Sequence, residues 1–310
     1  MVDTSRRGFL KTSVAAACGA GLGAIGAGSR AVTVPGAGEA PAAATPMPRR
    51  IKKGVLLDMV SAKLSYAERF RMAADSGFEA AQVNTTPDPR EADEIKNAAG
   101  AAGVRIDSVM NMAHWDYPLS SNDPAVVAKS LDGMRTSLHN AQLWGAGYVL
   151  LVPAVVNAKT SYRDAWTRSQ TQIRKLLPLA AELRVVIALE EVWNKFLLSP
   201  LEFAKYVDQF NSPWIKAWFD VGNVVAFGYP QDWIRTLGPR IAELHIKDFK
   251  TQGDCYKWVN LGEGDIDWPE VRRALKEINY SGTATVELDG GDEAYLRDVS
   301  QRVDRLVLGA

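Results

Sequence analysis

Short apolar runs recur along the chain from residue 51 onward, and each is followed by a longer stretch with helical spacing of its apolar positions. Short apolar runs bounded by turn residues are typical of buried strands, and apolar residues three and four apart are typical of helices that pack on one face. The eight predicted strands are 54–57, 80–83, 104–109, 148–152, 185–189, 215–219, 241–244 and 283–286.

Helical stretches separate these strands, and several begin with a capping residue followed by proline, as at Asp123-Pro124 and Ser199-Pro200. The predicted helices are 65–76, 89–101, 124–143, 162–183, 200–210, 230–237, 268–278 and 293–308. Strict alternation of strand and helix predicts one closed (β/α)8 TIM barrel of the α/β class. An open doubly wound sheet is disfavoured because no glycine-rich phosphate turn follows Leu57.

The first 50 residues have a different composition from the rest. Arg6-Arg7 precedes Phe9-Leu10-Lys11 and a Gly/Ala-rich apolar stretch, which resembles a twin-arginine export signal over residues 1–31. That stretch is too short and too rich in glycine for a stable membrane span, and a lipoprotein-like site at Cys18 is a weaker alternative. Residues 32–50 form a Pro/Ala/Gly-rich linker. We therefore expect a barrel over residues 51–310, exported to a periplasmic or other extracytoplasmic location.

Charge and cysteine content narrow the choice of partners. The chain has 36 basic and 36 acidic residues, and residues 51–310 have 30 and 34, a net charge of −4. No basic stripe suited to phosphates is present, so no nucleic-acid partner is expected. Cys255 is the single cysteine after residue 50, which excludes an internal disulfide in the barrel. The sequence is compatible with a homo-oligomer.

Four consecutive predicted strands end in metal-binding side chains. These are Glu190 or Glu191, then Asp220, His245 and Glu287. The carboxyl ends of TIM-barrel strands meet at the mouth where active sites lie, so these side chains are expected to lie close together. Three carboxylates and one imidazole suit one divalent ion such as Mn²⁺, Mg²⁺ or Co²⁺, and the lack of thiolates makes Zn²⁺ a poorer choice.

The sequence around these residues resembles the xylose isomerase-like TIM barrels. The matching segments are LEEVWN around Glu191, FDVGN around Asp220, ELHIKD around His245, and NLGEGDIDWPEVRRALKEINYSGTATVEL over residues 260–288. This family includes sugar-phosphate isomerases and epimerases, among them tagatose and psicose 3-epimerases, hydroxypyruvate isomerase and inosose dehydratase.

The resemblance implies four metal ligands, Glu191, Asp220, His245 and Glu287. Glu191 is favoured over Glu190 because the family glutamate is followed three positions later by asparagine, here Asn194, and Glu190 is the fallback. It also implies that Glu191 and Glu287 transfer protons next to a substrate carbonyl, through an enediolate that the metal stabilises. A sugar isomerase or epimerase is the first prediction.

Two departures from the epimerase pattern leave the reaction open. Asn223 stands where epimerases often have a histidine, and no second acidic residue follows Asn194. A lyase or dehydratase acting on a keto-sugar or keto-glycoside, and a non-catalytic sugar-binding barrel, are the alternatives. We predict that a small sugar or polyol contacts five side chains at the mouth, namely His114, Trp115, Trp193, Asn223 and Lys247. With three histidines in the chain, the related multi-zinc endonucleases are disfavoured.

Overall fold

Eight parallel strands close into a barrel, as the alternation of strand and helix predicts. A computed structural model describes residues 50–252 and 255–310. The strands are β1 (Lys52–Leu56), β2 (Ala80–Asn84), β3 (Arg105–Met110), β4 (Tyr148–Leu151), β5 (Val186–Glu190), β6 (Ile215–Asp220), β7 (Ile241–Ile246) and β10 (Thr283–Val286). Around the barrel, they follow the order β1-β2-β3-β4-β5-β6-β7-β10, and β10 pairs with β1.

The helices surround this barrel, and their ends agree with the capping signals in the sequence. Ser65 and Glu68 form a reciprocal capping box on the first helix. The main helices span Tyr66–Asp75, Pro89–Ala102, Pro124–Trp144, Tyr162–Arg174, Leu177–Leu183, Pro200–Asp208, Pro230–Leu237, Trp268–Glu277 and Glu293–Val303.

Two predicted helices are divided or shortened. The prediction of a single helix over 162–183 is wrong, because two helices occupy that range with Lys175 and Leu176 between them. Pro178 lies in the first turn of the second helix, where its missing N–H costs no hydrogen bond. The last α-helix ends at Val303, and a wider π-helical segment follows it over Asp304–Leu308.

Two elements at the barrel mouth were not predicted. A short helix, Ala113–Asp116, follows β3. An antiparallel hairpin formed by β8 (Asp248–Gln252) and β9 (Cys255–Val259) lies between β7 and the helix Trp268–Glu277. Only Lys247 separates β7 from this hairpin, so the hairpin extends directly from a barrel strand.

Alternate residues of the strands point into the barrel and form a small core of their own. Its buried members are Met110, Leu150, Val152, Ala188, Val192 and Trp218. Their strand neighbours, such as Val109 and Ile187, belong instead to the larger core between the barrel and the helices. This alternation decides which side chains beyond the small core enter the barrel mouth.

The predicted export signal, 1–31, and nearly all of the predicted linker, 32–50, lie outside the described residues. Arg50, at the start of the described chain, pairs with Glu79 through a hydrogen bond of 2.6 Å. Among the helices that the structure describes, none has the length and apolar character needed to cross a membrane.

Candidate metal centre

Four buried side chains converge at the carboxyl ends of neighbouring strands. Glu190, Asp220, His245 and Glu287 each offer one donor atom, and these four atoms lie within 4.8 Å of one another. Glu190 ends β5, Asp220 ends β6, His245 lies near the end of β7, and Glu287 follows β10. Since β5, β6, β7 and β10 are successive neighbours in the barrel, each contributes one donor to the same point at the mouth.

The imidazole of His245 faces the carboxylates with one nitrogen. Its Nδ1 lies 2.7 Å from Glu190 Oε1 and 2.9 Å from Glu287 Oε2, and 4.0 Å from Asp220 Oδ2. Its Nε2 lies 2.8 Å from Oε1 of Gln82, at the opposite edge of the ring. The ring of Trp218 packs against it, with 4.8 Å between the ring centroids. His245 is therefore held on three sides, and Nδ1 is the nitrogen directed at the carboxylates.

The structure places Glu190 in this group, whereas the family resemblance favours Glu191. Strand alternation explains the difference, because Glu190 is two residues beyond the inward-facing Ala188 and so points into the barrel. Glu191 lies just beyond β5, and its Oε1 accepts a hydrogen bond of 3.1 Å from the backbone N–H of Asp220. Its backbone oxygen accepts another from Nδ2 of Asn223, at 2.9 Å. Glu191 thus supports the end of β6 and the loop that follows it.

Lys247 contributes a positive charge beside the carboxylates. Its Nζ lies 2.7 Å from Asp220 Oδ2 and 3.3 Å from Glu287 Oε2, and the side chain is almost completely buried. The same ammonium lies 4.9 Å from the ring centroid of Trp258, in cation–π geometry. The predicted substrate residue Lys247 therefore lies within the group of carboxylates.

The electrostatics of the site reflect burial and crowded charges. Burial raises the pKa of Asp220 to about 6, although the charge of Lys247 opposes this shift. Burial, with the nearby charges of Asp220 and Glu190, raises the pKa of Glu191 well above its usual range. Burial lowers the pKa of His245, but the charges of Glu287 and Glu190 outweigh it and the net shift is upward. The carboxylates therefore attract positive charge into this space.

These residues fit a divalent cation. Three carboxylates and one imidazole, buried and converging from four strands, form a donor set of the type that Mn²⁺, Mg²⁺ and Co²⁺ accept. Three ionised carboxylates carry a charge of −3, and Lys247 with a divalent ion would supply +3. Buried charges are costly unless they are compensated, so a divalent ion would bring this site to neutrality.

An aromatic wall stands beside the four donors. Trp193 lies with its ring centroid 5.1 Å from that of Trp258 and 5.4 Å from that of Phe249. The indole N–H of Trp193 donates a hydrogen bond of 2.7 Å to the backbone oxygen of Asn223. Gly222 allows this wall to approach, because a Cβ there would lie 2.6 Å from Cγ of Lys247 and 3.1 Å from the ring of Trp258.

The remaining predicted substrate residues lie around the same mouth. His114 is buried on the short helix after β3, and its Nδ1 accepts a hydrogen bond of 3.3 Å from the backbone N–H of Val152. Trp115 packs against the small core inside the barrel and meets His114 edge-to-face at 4.4 Å. Asn223 is buried, and its amide nitrogen is engaged by the backbone of Glu191.

Two residues that contact the site are not among those predicted from the sequence. Gln82 lies in β2, on the far side of the barrel from Asp220, and no motif marks it; only strand alternation combined with the barrel order could have placed it beside His245. Trp258 lies in the unpredicted hairpin, where the alternation of Tyr256 and Trp258 with lysine and valine was an available strand signal.

Curated relatives of this chain are named as sugar epimerases. The L-ribulose-5-phosphate 3-epimerase UlaE of Escherichia coli O1:K1 is 27% identical over 251 residues, which covers 77% of this chain and 88% of the relative. The enzyme of the same name from Shigella flexneri is 25% identical over 251 residues, with the same coverage.

Solved structures share the fold. A D-tagatose 3-epimerase-like protein superposes with a TM-score of 0.72 at 19% identity, covering 84% of this chain and 99% of that one. D-allulose 3-epimerase from Methylomonas sp., in complex with D-allulose, superposes with a TM-score of 0.68 at 20% identity, covering 84% and 96%. The model of the xylose isomerase-like TIM barrels matches residues 70–305. With its closed eight-stranded barrel and this match, the chain belongs to the xylose isomerase-like TIM barrel family.

Proposed function

We propose that this protein is a divalent-metal-dependent sugar epimerase or isomerase. The observation that carries the proposal is the buried convergence of Glu190, Asp220, His245 and Glu287 at the mouth of the barrel. The names of the relatives support the reaction class, since they are 3-epimerases of ketoses or ketose phosphates. The proposed substrate is a ketose whose carbon next to the carbonyl is inverted or whose carbonyl is moved.

The four donors would hold the cation, for which Mn²⁺, Mg²⁺ and Co²⁺ are the candidates. When bound, such a cation supplies positive charge that stabilises negative charge developing on the substrate oxygens. Lys247 lies close enough to Asp220 and Glu287 to add a second positive charge beside the substrate. This charge pattern favours removal of a proton from a carbon next to a carbonyl.

Glu190 and Glu287 are the proposed proton-transferring pair. They belong to β5 and β10, which flank β6 and β7 in the barrel, so their carboxylates approach the group from two sides. In an epimerisation, one carboxylate removes the proton from the carbon and the other residue returns a proton to the opposite face. Each turnover leaves the removed proton on the first glutamate and the second glutamate without one, so before the next turnover the first releases its proton to water and the second takes one up.

The aromatic wall is the proposed contact surface for the sugar ring or chain. Trp193, Trp258 and Trp115 present apolar faces next to polar donors, which suits molecules with both C–H faces and hydroxyl groups. Asn223 is proposed to act mainly as a support for Glu191, because its amide nitrogen is engaged by that residue's backbone.

The proposal is tested with Glu190→Gln and Glu287→Gln variants loaded with Mn²⁺. Wild-type protein is incubated in heavy water with a panel of free and phosphorylated ketoses, and products are identified by NMR. We expect an intact epimer or isomer that carries deuterium, and a loss of about 10²- to 10⁴-fold in kcat for each variant, the usual contribution of a general acid or base.

Glu191→Gln is the matched control, because Glu191 is an equally buried neighbour that contacts the backbone of Asp220. We expect a smaller loss of kcat than for Glu190→Gln. A larger loss would transfer the role to Glu191. A dehydrated or cleaved product would identify a lyase instead, and binding of ketoses without turnover would identify a sugar-binding protein.

A further inference from the structure

We infer that Gln82 is a positioning residue that holds His245 in the tautomer able to bind a divalent cation. This inference rests on the proposed metal site and adds a residue from the opposite part of the barrel to it. The proposed ligands all come from β5, β6, β7 and β10, whereas Gln82 lies in the middle of β2. Its side chain crosses the barrel interior to reach the imidazole.

The contact is buried and well formed. Gln82 has no exposed surface, and its Oε1 lies 2.8 Å from Nε2 of His245. His245 is equally inaccessible, with Trp218 packed against its ring. In the described part of the chain, Nε2 of Gln82 has no hydrogen-bond partner, so the bond to His245 is the principal polar contact of this amide. Without that contact, a buried amide in the barrel would be costly.

The identity of the facing atoms determines the tautomer. A neutral imidazole carries its proton on one nitrogen and leaves a lone pair on the other. Nδ1 faces Glu190 and Glu287, so it is the nitrogen that would bind a cation and must be without a proton in the bound state. Nε2 then carries the proton and needs an acceptor, and the amide oxygen of Gln82 provides it.

The choice of an amide at this position also matters for charge. Metal-bound histidines usually donate their second N–H to a carboxylate, a carbonyl or water, and this contact fixes the ring and raises its basicity. An amide oxygen fixes the ring without adding a fourth negative charge to Glu190, Asp220 and Glu287. Gln82 thus orients His245 while the charge of the three carboxylates still matches Lys247 and a divalent ion.

The test compares Gln82→Met with Gln82→Glu. Methionine has a similar length and no acceptor of comparable strength, whereas glutamate keeps an acceptor for the Nε2 proton. The Kd for Mn²⁺ is measured by competition with a metal-binding dye, without substrate. We expect Gln82→Met to weaken Mn²⁺ binding by about 10- to 100-fold, the usual cost of losing such a contact. We expect Gln82→Glu to bind Mn²⁺ as tightly as the wild type or more tightly.

Nitrogen-15 NMR of the histidine side chains reads the tautomer directly. The chain has only three histidines, His114, His139 and His245, so the spectrum is simple to assign. With Zn²⁺ as a diamagnetic probe, the wild type should show His245 protonated on Nε2, with a proton that exchanges slowly with water. In Gln82→Met this proton should exchange faster, a change that a purely structural role would not cause.

Ser108→Ala is the matched control. Ser108 is the register partner of Gln82 in β3, it is buried, and its hydroxyl has no hydrogen-bond partner among the described residues. This variant should bind Mn²⁺ like the wild type. If Gln82→Met binds Mn²⁺ as tightly as the wild type, the inference is wrong while the metal site stands. If the wild type itself binds no divalent ion, both the proposed function and this inference are wrong.

Discussion

At the residue scale, three of the four candidate metal ligands predicted from the sequence lie in one buried group, and the fourth member of that group is the neighbour of the predicted residue. Asp220, His245 and Glu287 lie at or next to the carboxyl ends of their strands and belong to this group. The choice between Glu190 and Glu191 was made on motif spacing to Asn194, and strand alternation from Ala188 points to Glu190 instead. The two criteria select different glutamates because one step along a strand moves a side chain to the other face of the sheet.

Lys247 sets the charge of the site, which gives a prediction at this scale. Its Nζ lies within salt-bridge distance of both Asp220 and Glu287 and so competes with a cation for the same carboxylates. In Lys247→Met we expect tighter Mn²⁺ binding by about an order of magnitude, since removing a unit charge about 4 Å away is worth up to several kcal/mol before screening.

The same variant should also be less stable without metal. Three crowded carboxylates would then lose the buried ammonium that compensates their charge, and Mn²⁺ should restore the midpoint of thermal unfolding. Dye competition and thermal unfolding with and without Mn²⁺ measure the two effects. Weaker Mn²⁺ binding in Lys247→Met would show instead that the lysine organises the ligands.

At the scale of elements, the eight strands and most helices followed from apolar periodicity and capping residues, and the hairpin of β8 and β9 did not. The hairpin begins one residue after β7, so in the sequence it merges with the strand end that carries His245 and Lys247. Its aromatic side chains pack against residues of other loops, such as Trp193. Such long-range packing cannot be inferred from the local pattern.

Trp258 makes the hairpin part of the aromatic wall that is proposed to contact the sugar, and this gives a prediction for the element. Trp258→Ala should raise KM for the substrate and leave the Kd for Mn²⁺ unchanged, because the ring contacts Trp193, Phe249 and Lys247, and none of these residues is one of the four donors. Steady-state kinetics and dye competition measure the two constants.

Trp166→Ala is the control for this prediction. Trp166 is also half-buried and packs edge-to-face on Tyr206 at 4.8 Å, but on an outer helix. Both variants should lose stability, by less than the roughly 3–5 kcal/mol of a fully buried tryptophan. Only Trp258→Ala should change KM, and an equal change in both would contradict a role for the hairpin in binding.

At the scale of the whole molecule, the barrel interior has a second acidic cluster, which lies nearer the amino ends of the strands. Glu243 lies two residues before His245 in β7, shares a hydrogen bond with Asp107, and accepts one of 3.0 Å from the backbone N–H of Thr283. Thr283 also donates its hydroxyl hydrogen to Asp107. Burial, followed by the charge of Asp107, raises the pKa of Glu243 well above its usual range.

This raised pKa makes the stability of the barrel depend on pH. Above about pH 4.5 the unfolded chain loses the proton of Glu243 while the folded chain keeps it, so unfolding releases a proton. The contribution of Glu243 to the free energy of unfolding therefore falls as the pH rises, by about 1.4 kcal/mol per pH unit, until the pH reaches the folded pKa of this group.

Glu243→Gln should remove this contribution. Glutamine keeps an acceptor for Thr283 and offers an N–H to Asp107, so the variant should be more stable than the wild type at mildly alkaline pH and should change less with pH. Urea unfolding at several pH values measures both. Glu94→Gln, at an exposed position of an outer helix, makes the same change in charge and should keep the wild-type slope. Equal slopes in all three proteins would contradict the prediction.

Gly222 has an evolutionary consequence. A side chain there would collide with Cγ of Lys247 and with the ring of Trp258, so a position on the loop after β6 is constrained by two positions around the hairpin. Among homologous sequences, glycine should persist wherever a long side chain occupies position 247 and a large ring occupies position 258. Where both are smaller, only the backbone oxygen of position 247, 3.2 Å from such a Cβ, still crowds the position, and a small residue such as alanine should be tolerated. The three positions should covary as a unit and mark the branch of the family that has this pocket wall.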